Sequence, residues 1–167
     1  MRFYATGCFQ RPVGEQWGIC MSQTSISRCI HKVTDAINDL IQQWVQFPMT
    51  LGARQLARMQ FQNARHSFEG GIGAIDCTHV AILALKKHEE AYVNHHGYHS
   101  LNVQMICDKN LKVLNVNARY PGARHDAYNI WSASAARRVM ERAYNRERRT
   151  YLIGDSDYPL EPWLLTP

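Results

Sequence analysis

The sequence lacks the features that mark membrane proteins and secreted proteins. No run of apolar residues reaches the length of about 18 that a membrane-spanning helix needs. The opening stretch, MRFYATGCFQRPVGE, has no apolar segment between a basic end and a cleavage site of small residues. We therefore expect an intracellular protein that does not enter a membrane.

Paired cysteines are also missing, which argues against a disulfide scaffold and a zinc ribbon. The five cysteines are odd in number, and none forms a CxxC pair. We expect all five thiols to be reduced and to have structural roles. His95, His96 and His99 lie close together, but no cysteine or carboxylate stands at a zinc-site spacing from them. We interpret this histidine segment as the loop before a strand.

The composition that is present is that of a globular protein with a basic surface. Hydrophobic residues make up 46% and charged residues 20% of the 167 residues, which argues against disorder. This length suits one domain, or a small helical region joined to most of a larger domain. The formal net charge of +5 and the pI near 9.1 fit a polyanionic partner such as nucleic acid.

The N-terminal part, residues 1–69, predicts a helical region. Apolar residues recur at steps of three and four from Ser22 to Phe47, the pattern of one long amphipathic helix. Ser22 can cap this helix, and Pro48 ends it. A shorter helix from Gly14 to Ile19 would precede it, which gives a helix-turn-helix arrangement. A further helix is predicted from Leu51 to Gln62.

The long helix opens with SQTSISR, whose side chains are of the types that contact DNA at a recognition helix. Candidate DNA contacts are Ser22, Gln23, Ser25 and Arg28. The alternative is a helical pair that only packs on the next domain. Glycines at 70, 71 and 73 predict a boundary near residue 70, with the second domain at 70–167.

Beyond residue 70 the apolar period changes to two, which predicts strands. The expected order is three strands, a helix and a fourth strand, at 71–83, 101–107, 113–120, 126–144 and 151–155. The first strand leads out through Asp76, and Leu101, Val103, Met105 and Cys107 share one face of the second. Turn-forming residues at 108–110 make the second and third strands a hairpin.

Three aspartates, Asp76, Asp126 and Asp155, stand at predicted ends or starts of elements. A carboxylate at the end of a buried strand is costly to desolvate unless a cation faces it. Carboxylate oxygens suit Mg²⁺ or Mn²⁺, and two such ions about 4 Å apart can promote phosphodiester cleavage. The alternatives are that Asp126 is a helix cap and that Asp155 starts a turn. His79 falls on the face of the strand opposite Asp76, so we expect a structural or supporting role.

The segments around these aspartates are similar to successive motif blocks of the PIF/Harbinger transposase family and of the nucleases derived from it. The blocks are GAIDCTHVAI, YVNHHGYHSLNVQMICD, YPGARHDAYNIW and YLIGDSDYPLEPWLLTP, and the similarity extends upstream to FYATGCFQRPVGEQWGI and SQTSISRCIHKVTDAI. The resemblance covers nearly the whole chain. It implies an α/β fold, a ribonuclease H-like core with a mixed sheet, preceded by the small helical region.

The resemblance also implies a site. Asp76 matches the first family aspartate, Asp126 the aspartate of the Pro-Gly block and Asp155 that of the Gly-Asp block. These residues would be catalytic and would bind Mg²⁺ or Mn²⁺ for hydrolysis of DNA phosphodiester bonds. The family glutamate lies on a helix after the Gly-Asp block, and the chain stops at Pro167 before such a helix. We therefore expect a C-terminally incomplete core, whose activity is open. In related sequences Gly-Ile runs directly into Ser-Gln, whereas GICMSQ here has two additional residues in or near the turn of the helix-turn-helix.

The function implied is that of a metal-dependent DNA endonuclease derived from a transposase. One alternative is a non-catalytic remnant that binds DNA or another protein, and another is a product whose uncovered sheet face prevents stable folding. Arg137 and Arg138 open an arginine-rich stretch that is either a solvated helix face or part of a DNA-binding track. The resemblance implies a nuclear location, with the cytoplasm as the alternative, and DNA and a Myb-like protein as partners.

Overall fold

Among the described residues, those up to Trp44 are mainly helical, and a sheet with helices follows. The computed structural model describes residues 3–4, 7–15, 18, 20–65, 67–85, 87–124 and 127–167, without the side chains of 127–129. It forms two compact units, Met1–Trp44 and Val45–Pro167. Within the described residues, no helix has both the length and the apolar character needed to cross a bilayer. All five thiols are free, as predicted.

The first unit contains helix α1, Gln10–Gly14, and the long helix α2, Gln23–Trp44. The predicted cap is confirmed, because the Ser22 hydroxyl accepts a hydrogen bond from the Ser25 amide at 3.2 Å. Helix α2 ends at Trp44, three residues before its predicted end. Helix α1 starts earlier than predicted. Proline is tolerated in a first turn, and Pro12 occupies that position in α1. Part of the predicted segment, namely residues 16, 17 and 19, lies outside the described residues.

Helix α3 covers Leu51–Gln62, the range that the sequence predicts. Thr50 caps it by accepting a hydrogen bond from the Ala53 amide at 3.2 Å. Phe61 is buried against the start of the first strand, where a methyl group on Gly71 would lie 3.4 Å from its ring. The compact units divide at residue 44, whereas the sequence predicts a boundary near 70, because α3 packs on the sheet.

The second unit is built on one five-stranded sheet. Its strands are β1 Gly71–Ala81, β2 Ser100–Cys107, β3 Val113–Pro121, β4 Tyr151–Ile153 and β5 Leu164–Leu165. They lie in the order β3-β2-β1-β4-β5. The first three strands pair antiparallel, while β4 runs parallel to β1 and β5 parallel to β4. This mixed α/β sheet agrees with the ribonuclease H-like core that the resemblance implies.

The hairpin of β2 and β3 forms as predicted. Asp108 closes the turn, since its Oδ1 accepts from the amides of Asn110 and Lys112 at 2.8 and 2.9 Å. On the face with Leu101 and Met105 these two residues are half-buried and Val103 is buried. Asn102, Gln104 and Ile106 lie on the opposite face and are all buried. The alternation therefore identified the strand, and the polar residues Asn102 and Gln104 lie on its more deeply buried face.

The predicted helix at 126–144 is two helices, α4 at Ala127–Ser132 and α5 at Ala135–Arg146. The break occurs because the Ser134 hydroxyl accepts from the Arg137 amide at 3.0 Å and so starts a new helix. A short 3₁₀ helix, Glu89–Tyr92, precedes β2. The core between helices and sheet consists of side chains with no exposed surface, among them Ile72, Ile106, Trp131, Met140 and Leu152.

Candidate active site

Asp76 and Asp155 extend from adjacent parallel strands. The sequence suggested that Asp76 stands at the end of a strand. It lies within β1 instead, because β1 stays paired with β2 as far as Ala81. Asp155 follows the short strand β4. Ala74 lies opposite Ile153, so each aspartate stands two residues beyond this pair on its own chain. The parallel register thus places the two residues at the same level of the sheet.

Both aspartates line one cavity of about 180 Å³. The other residues around it are Cys77, His79, His95, Asn102, Asp157 and Tyr158. The carboxylates of Asp76, Asp155 and Asp157 are exposed, so the desolvation argument made from the sequence does not apply to them. The three carboxylates line the same cavity. Like charges in one cavity disfavour one another and favour a bound cation.

Local backbone bonds orient two of these carboxylates. Asp76 Oδ1 accepts from the amide of Cys77 at 2.7 Å. Asp155 Oδ1 accepts from the amide of Asp157 at 3.1 Å, which makes the Gly-Asp block a turn of the Asx type. The turn interpretation of Asp155 and its position in the cavity are therefore compatible.

Tyr158 joins the Asp155 turn to the strand that carries Asp76. Its hydroxyl and the Cys77 thiol are hydrogen-bonded at 3.1 Å, and only 4% of the tyrosine is exposed. Gly154 allows this approach, because a methyl group there would lie 3.2 Å from the Tyr158 ring. The segments that carry the two aspartates are thus linked by a contact in the wall of the cavity.

Burial and charge act on both partners of this contact. Burial raises the pKa of the Cys77 thiol, and the negative charges of Asp76 and Asp155 raise it further, against the lowering effect of the Tyr158 hydrogen bond. Burial likewise raises the pKa of Tyr158 well above its ordinary value of 10.0. Both groups are therefore neutral near pH 7.

Two buried amides lie on β2, beside the strand that carries Asp76. Gln104 stands opposite Cys77 on β2, has no exposed surface and lowers the pKa of both Cys77 and Tyr158. Its amide atoms are close to this pair but make no hydrogen bond of good geometry with a described residue. Asn102 lines the cavity, and its Nδ2 donates to the Arg124 carbonyl at 2.8 Å. Its Oδ1 has no partner among the described residues.

The sequence analysis did not select Cys77, Asn102, Gln104, Asp157 or Tyr158. The alternation of β2 contained a usable signal, because Asn102 and Gln104 are polar residues at every second position of an otherwise apolar strand. Polar residues buried on one face of a central strand need partners or a function. No pattern in the sequence indicated the contact between Tyr158 and Cys77.

The remaining predicted site residues fall in several places. Asp126 lies outside the described residues. At the start of α2, Ser22, Gln23 and Arg28 are exposed, and Ser25 is half-buried.

Arg137 and Arg138 differ in their surroundings. The Arg137 guanidinium donates to Glu161 at 2.7 Å and lies over the Trp163 ring, whereas Arg138 is exposed. Glu161 also accepts from the Trp131 indole N–H at 2.8 Å. Glu161 therefore holds α4 and α5 to the C-terminal segment and does not line the cavity of the aspartates.

The donor atoms around the cavity fit a hard divalent cation. Carboxylate oxygens and the orphan amide oxygen of Asn102 are the ligand types that Mg²⁺ and Mn²⁺ prefer. In the described part of the chain, no three side chains of His, Cys, Asp or Glu are already gathered as a metal-binding group. The chemistry of the donors is suitable, and their arrangement is that of an open site.

Comparisons with known proteins agree with the fold and with the motifs. The chain is 36% identical over 165 residues to "Putative nuclease HARBI1" of Bos taurus and 34% identical to the human protein of that name. Each alignment covers 99% of this chain and 46% of the relative. "Protein ALP1-like" of Arabidopsis thaliana is 24% identical over 168 residues, with 93% of this chain and 40% of the relative covered. The chain spans about half the length of these relatives. No solved structure matches.

A family model described as "DDE superfamily endonuclease" matches residues 75–167, more than half of the chain. This segment includes the cavity and four of the five strands in full, together with most of β1. This match and the relatives named above confirm the resemblance seen in the motif blocks. The chain therefore belongs to the DDE superfamily endonucleases and is related to their Harbinger-derived members.

Proposed function

We propose that this chain supplies the metal-binding centre of a DNA endonuclease, with Asp76 and Asp155 as ligands of Mg²⁺ or Mn²⁺. One observation carries the proposal: two aspartates from distant parts of the sequence line the same cavity, at the level where β1 runs past the end of its parallel neighbour β4. Asp126, by its match to the Pro-Gly block of the family, is proposed as a further ligand or close neighbour.

The residues of the chain have distinct tasks in this proposal. Asp76 is held in a strand whose neighbours are β2 and β4, and Asp155 is held by its turn and by Tyr158. Asn102 lines the same cavity, and its buried Oδ1 has no hydrogen-bond partner among the described residues. A bound divalent ion would supply an activated water and stabilise the leaving oxygen in phosphodiester hydrolysis.

The test of this proposal is calorimetric titration of the purified chain with Mn²⁺. Asp76→Asn and Asp155→Asn keep the side-chain shape and remove the charge, so we expect each to weaken Mn²⁺ binding by more than about 10-fold. Asp39→Asn, an exposed position on α2, is the matched control and should bind Mn²⁺ like the unchanged chain. Equal affinity in all four proteins would reject the proposed centre.

A non-catalytic DNA-binding role is the second candidate, and a basic cavity away from the aspartates favours it. This cavity of about 500 Å³ is lined by Arg58, Arg148 and Arg149, with Glu69 as its one acidic residue, near Gly70, which precedes β1. Arginines around a cleft suit phosphate contacts, which weaken steeply as salt is raised. Nicking of supercoiled plasmid by the pure chain in Mg²⁺, lost in Asp76→Asn, would exclude this second role.

We also propose DNA as the substrate, the nucleus as the location and a Myb-like protein as a partner, all by correspondence with the family. Gln23 and Arg28 on α2 and Arg138 on α5 are exposed and are the proposed DNA contacts. Their replacement by alanine should lower DNA affinity and reduce its salt dependence. Unchanged salt dependence would count against these contacts.

A further inference from the structure

Four rings form a row from the surface into the cavity of the aspartates. The Tyr98 and His96 rings are stacked with centroids 6.1 Å apart and an interplanar angle of 8°. The His96 and His95 centroids are 3.7 Å apart, and those of His95 and His79 are 5.6 Å apart. His79 and His95 line the same cavity as Asp76 and Asp155. The row therefore begins in solvent and ends at the candidate metal ligands.

The loop that carries three of these rings is firmly built. Asn94, which is 4% exposed, accepts at its Oδ1 from the amides of His96 and Tyr98 at 3.0 and 3.3 Å. The Gly97 amide donates to the Asn94 carbonyl at 2.9 Å, and the φ angle of +80° at this position suits glycine. Asn94 Nδ2 also donates to Ser100 at 2.9 Å. The rings are thus presented by a loop whose backbone is fixed.

The same buried residues connect the loop to the wall of the cavity. Ser100 has no exposed surface, and its hydroxyl lies 3.0 Å from His79 Nδ1 as well as next to Asn94. His79 stands opposite Asn102 on β2. Polar contacts through Ser100 therefore connect the loop to His79, which lies beside Asn102 in the wall of the cavity.

The exposure of the rings argues for a ligand. His95, His96 and Tyr98 are exposed although they stand side by side, so they do not form part of a core. Flat faces of imidazole and phenol stack well on nucleobases, and such stacking tolerates any base sequence. A surface that combines stacking faces with nearby carboxylates suits a nucleotide whose phosphate is bound at the carboxylates through a cation.

We propose that His95, His96 and Tyr98 form a stacking site for an unpaired nucleobase next to the phosphodiester bond held at Asp76 and Asp155. The proposal rests on the proposed function for the position of that bond. It assigns the substrate class more narrowly, as DNA with an unpaired nucleotide at the cleavage position. The loop would contact the base, while the carboxylates and their cation would contact the phosphate.

The experiment uses single-stranded oligonucleotides with one 2-aminopurine and the full chain in EDTA, so that binding is measured without metal or cleavage. Stacking quenches this base, and we expect position-dependent quenching by the unchanged chain. His96→Ala and Tyr98→Ala should lose the quenching and bind roughly 10-fold more weakly, as expected for the loss of a base stack. Phe68→Ala is the matched control, because Phe68 is 39% exposed and Tyr98 40%, and it should quench like the unchanged chain.

Conservative variants separate stacking from charge. His96→Phe and Tyr98→Phe keep the ring faces, so they should retain both quenching and affinity. If His96→Phe loses as much affinity as His96→Ala, the contact is ionic and the stacking site is overturned. Circular dichroism of each variant identifies any loss of folding, and because the phenylalanine variants keep the ring volume, they remain informative if an alanine variant unfolds.

Cleavage separates this inference from the proposed function. With Mg²⁺ we expect faster cleavage of a duplex that has an unpaired nucleotide at the cut than of a fully paired duplex. Quenching without cleavage of either duplex would reject the endonuclease and retain the base site. Equal cleavage of both duplexes without quenching would retain the endonuclease and overturn the base site.

Discussion

The Tyr158 hydroxyl is the smallest group whose removal should affect the whole candidate site. Tyr158→Phe deletes the hydrogen bond to Cys77 and leaves the ring that packs on Gly154. At pH 7 we expect a loss of about 1 kcal/mol in the free energy of unfolding and weaker Mn²⁺ binding, because the Asp155 turn loses its attachment to β1. Urea unfolding and calorimetric titration measure these two effects. Tyr92→Phe, outside the cavity, should change neither.

Tyr158→Phe should also change how the free energy of unfolding depends on pH in alkaline solution. The folded chain retains the protons of Cys77 and Tyr158, whereas the unfolded chain releases them near their ordinary pKa values of 9.0 and 10.0. The unfolded state then binds fewer protons, so the free energy of unfolding should fall as pH rises above about 9. In Tyr158→Phe only the thiol remains, and the decline should be shallower. Parallel urea curves at pH 8 to 11 for both proteins would contradict this expectation.

For single residues, the sequence identified those that lie in a family motif. It did not identify residues whose importance comes only from a contact in the folded chain. Asp76 and Asp155 could be selected because their neighbours in sequence match family blocks. Tyr158 and Cys77 act on each other across a long stretch of chain, and no periodicity encodes such a pair. Gln104 could be located on a strand, but its burial depends on which face the helices cover.

Among the elements, α3 is joined to the end of α5 by a buried ion pair. The Arg54 guanidinium donates to both oxygens of Glu147, and the two side chains are only 8% and 11% exposed. Arg54 also donates to the carbonyls of Pro48 and Met49. Arg58 adds a hydrogen bond to Thr150. This arrangement is why α3 belongs to the unit that contains the sheet.

Glu147→Ala should therefore destabilise the chain strongly. It leaves the Arg54 charge buried without its counterion, a change that typically costs about 3–5 kcal/mol. The two carbonyl bonds of Arg54 remain, so we expect a value at the lower end of this range. Glu69→Ala is the control, because its pair with Arg149 is 71% and 82% exposed and should contribute about 0–1 kcal/mol. Equal urea midpoints for the two variants would show that the buried pair has no special weight.

Most elements followed from local patterns, and the differences have local causes. The bounds of α3 and the hairpin were predicted because capping, periodicity and turn residues agree there. The single helix predicted after residue 126 failed at Ser134, whose side chain can cap as well as continue a helix. The first strand leaves the core at Asp76 as predicted, since its last buried residue is Ile75, and pairing with β2 carries the strand on to Ala81.

For the whole molecule, the division at residue 44 predicts that the second unit folds without the first. The unit Val45–Pro167 contains the complete described sheet, its core and the buried ion pair. We expect residues 45–167 alone to unfold in one cooperative thermal transition and to retain near-ultraviolet circular dichroism. A broad transition without near-ultraviolet signal would show that residues 1–44 are needed for the fold.

The ribonuclease H-like core could be anticipated for the whole chain because four blocks occur in the family order. The boundary of the units could not, since it depends on contacts of α3 with a sheet that is later in sequence. Composition had only a supporting part, because a net charge of +5 fits many basic proteins. The catalytic assignment stays a prediction until the aspartate variants are titrated.

The two aspartates differ in the stiffness of what holds them, and this should decide which ions the site accepts. Asp76 is fixed in a strand that stays paired with β2 on through Ala81, while Asp155 stands on a turn beyond the three-residue strand β4. Magnesium requires oxygen distances of about 2.0–2.1 Å and calcium about 2.3–2.6 Å. Adjustment to ionic radius must therefore come from the 154–158 turn, and tightening that turn would narrow the range of usable cations.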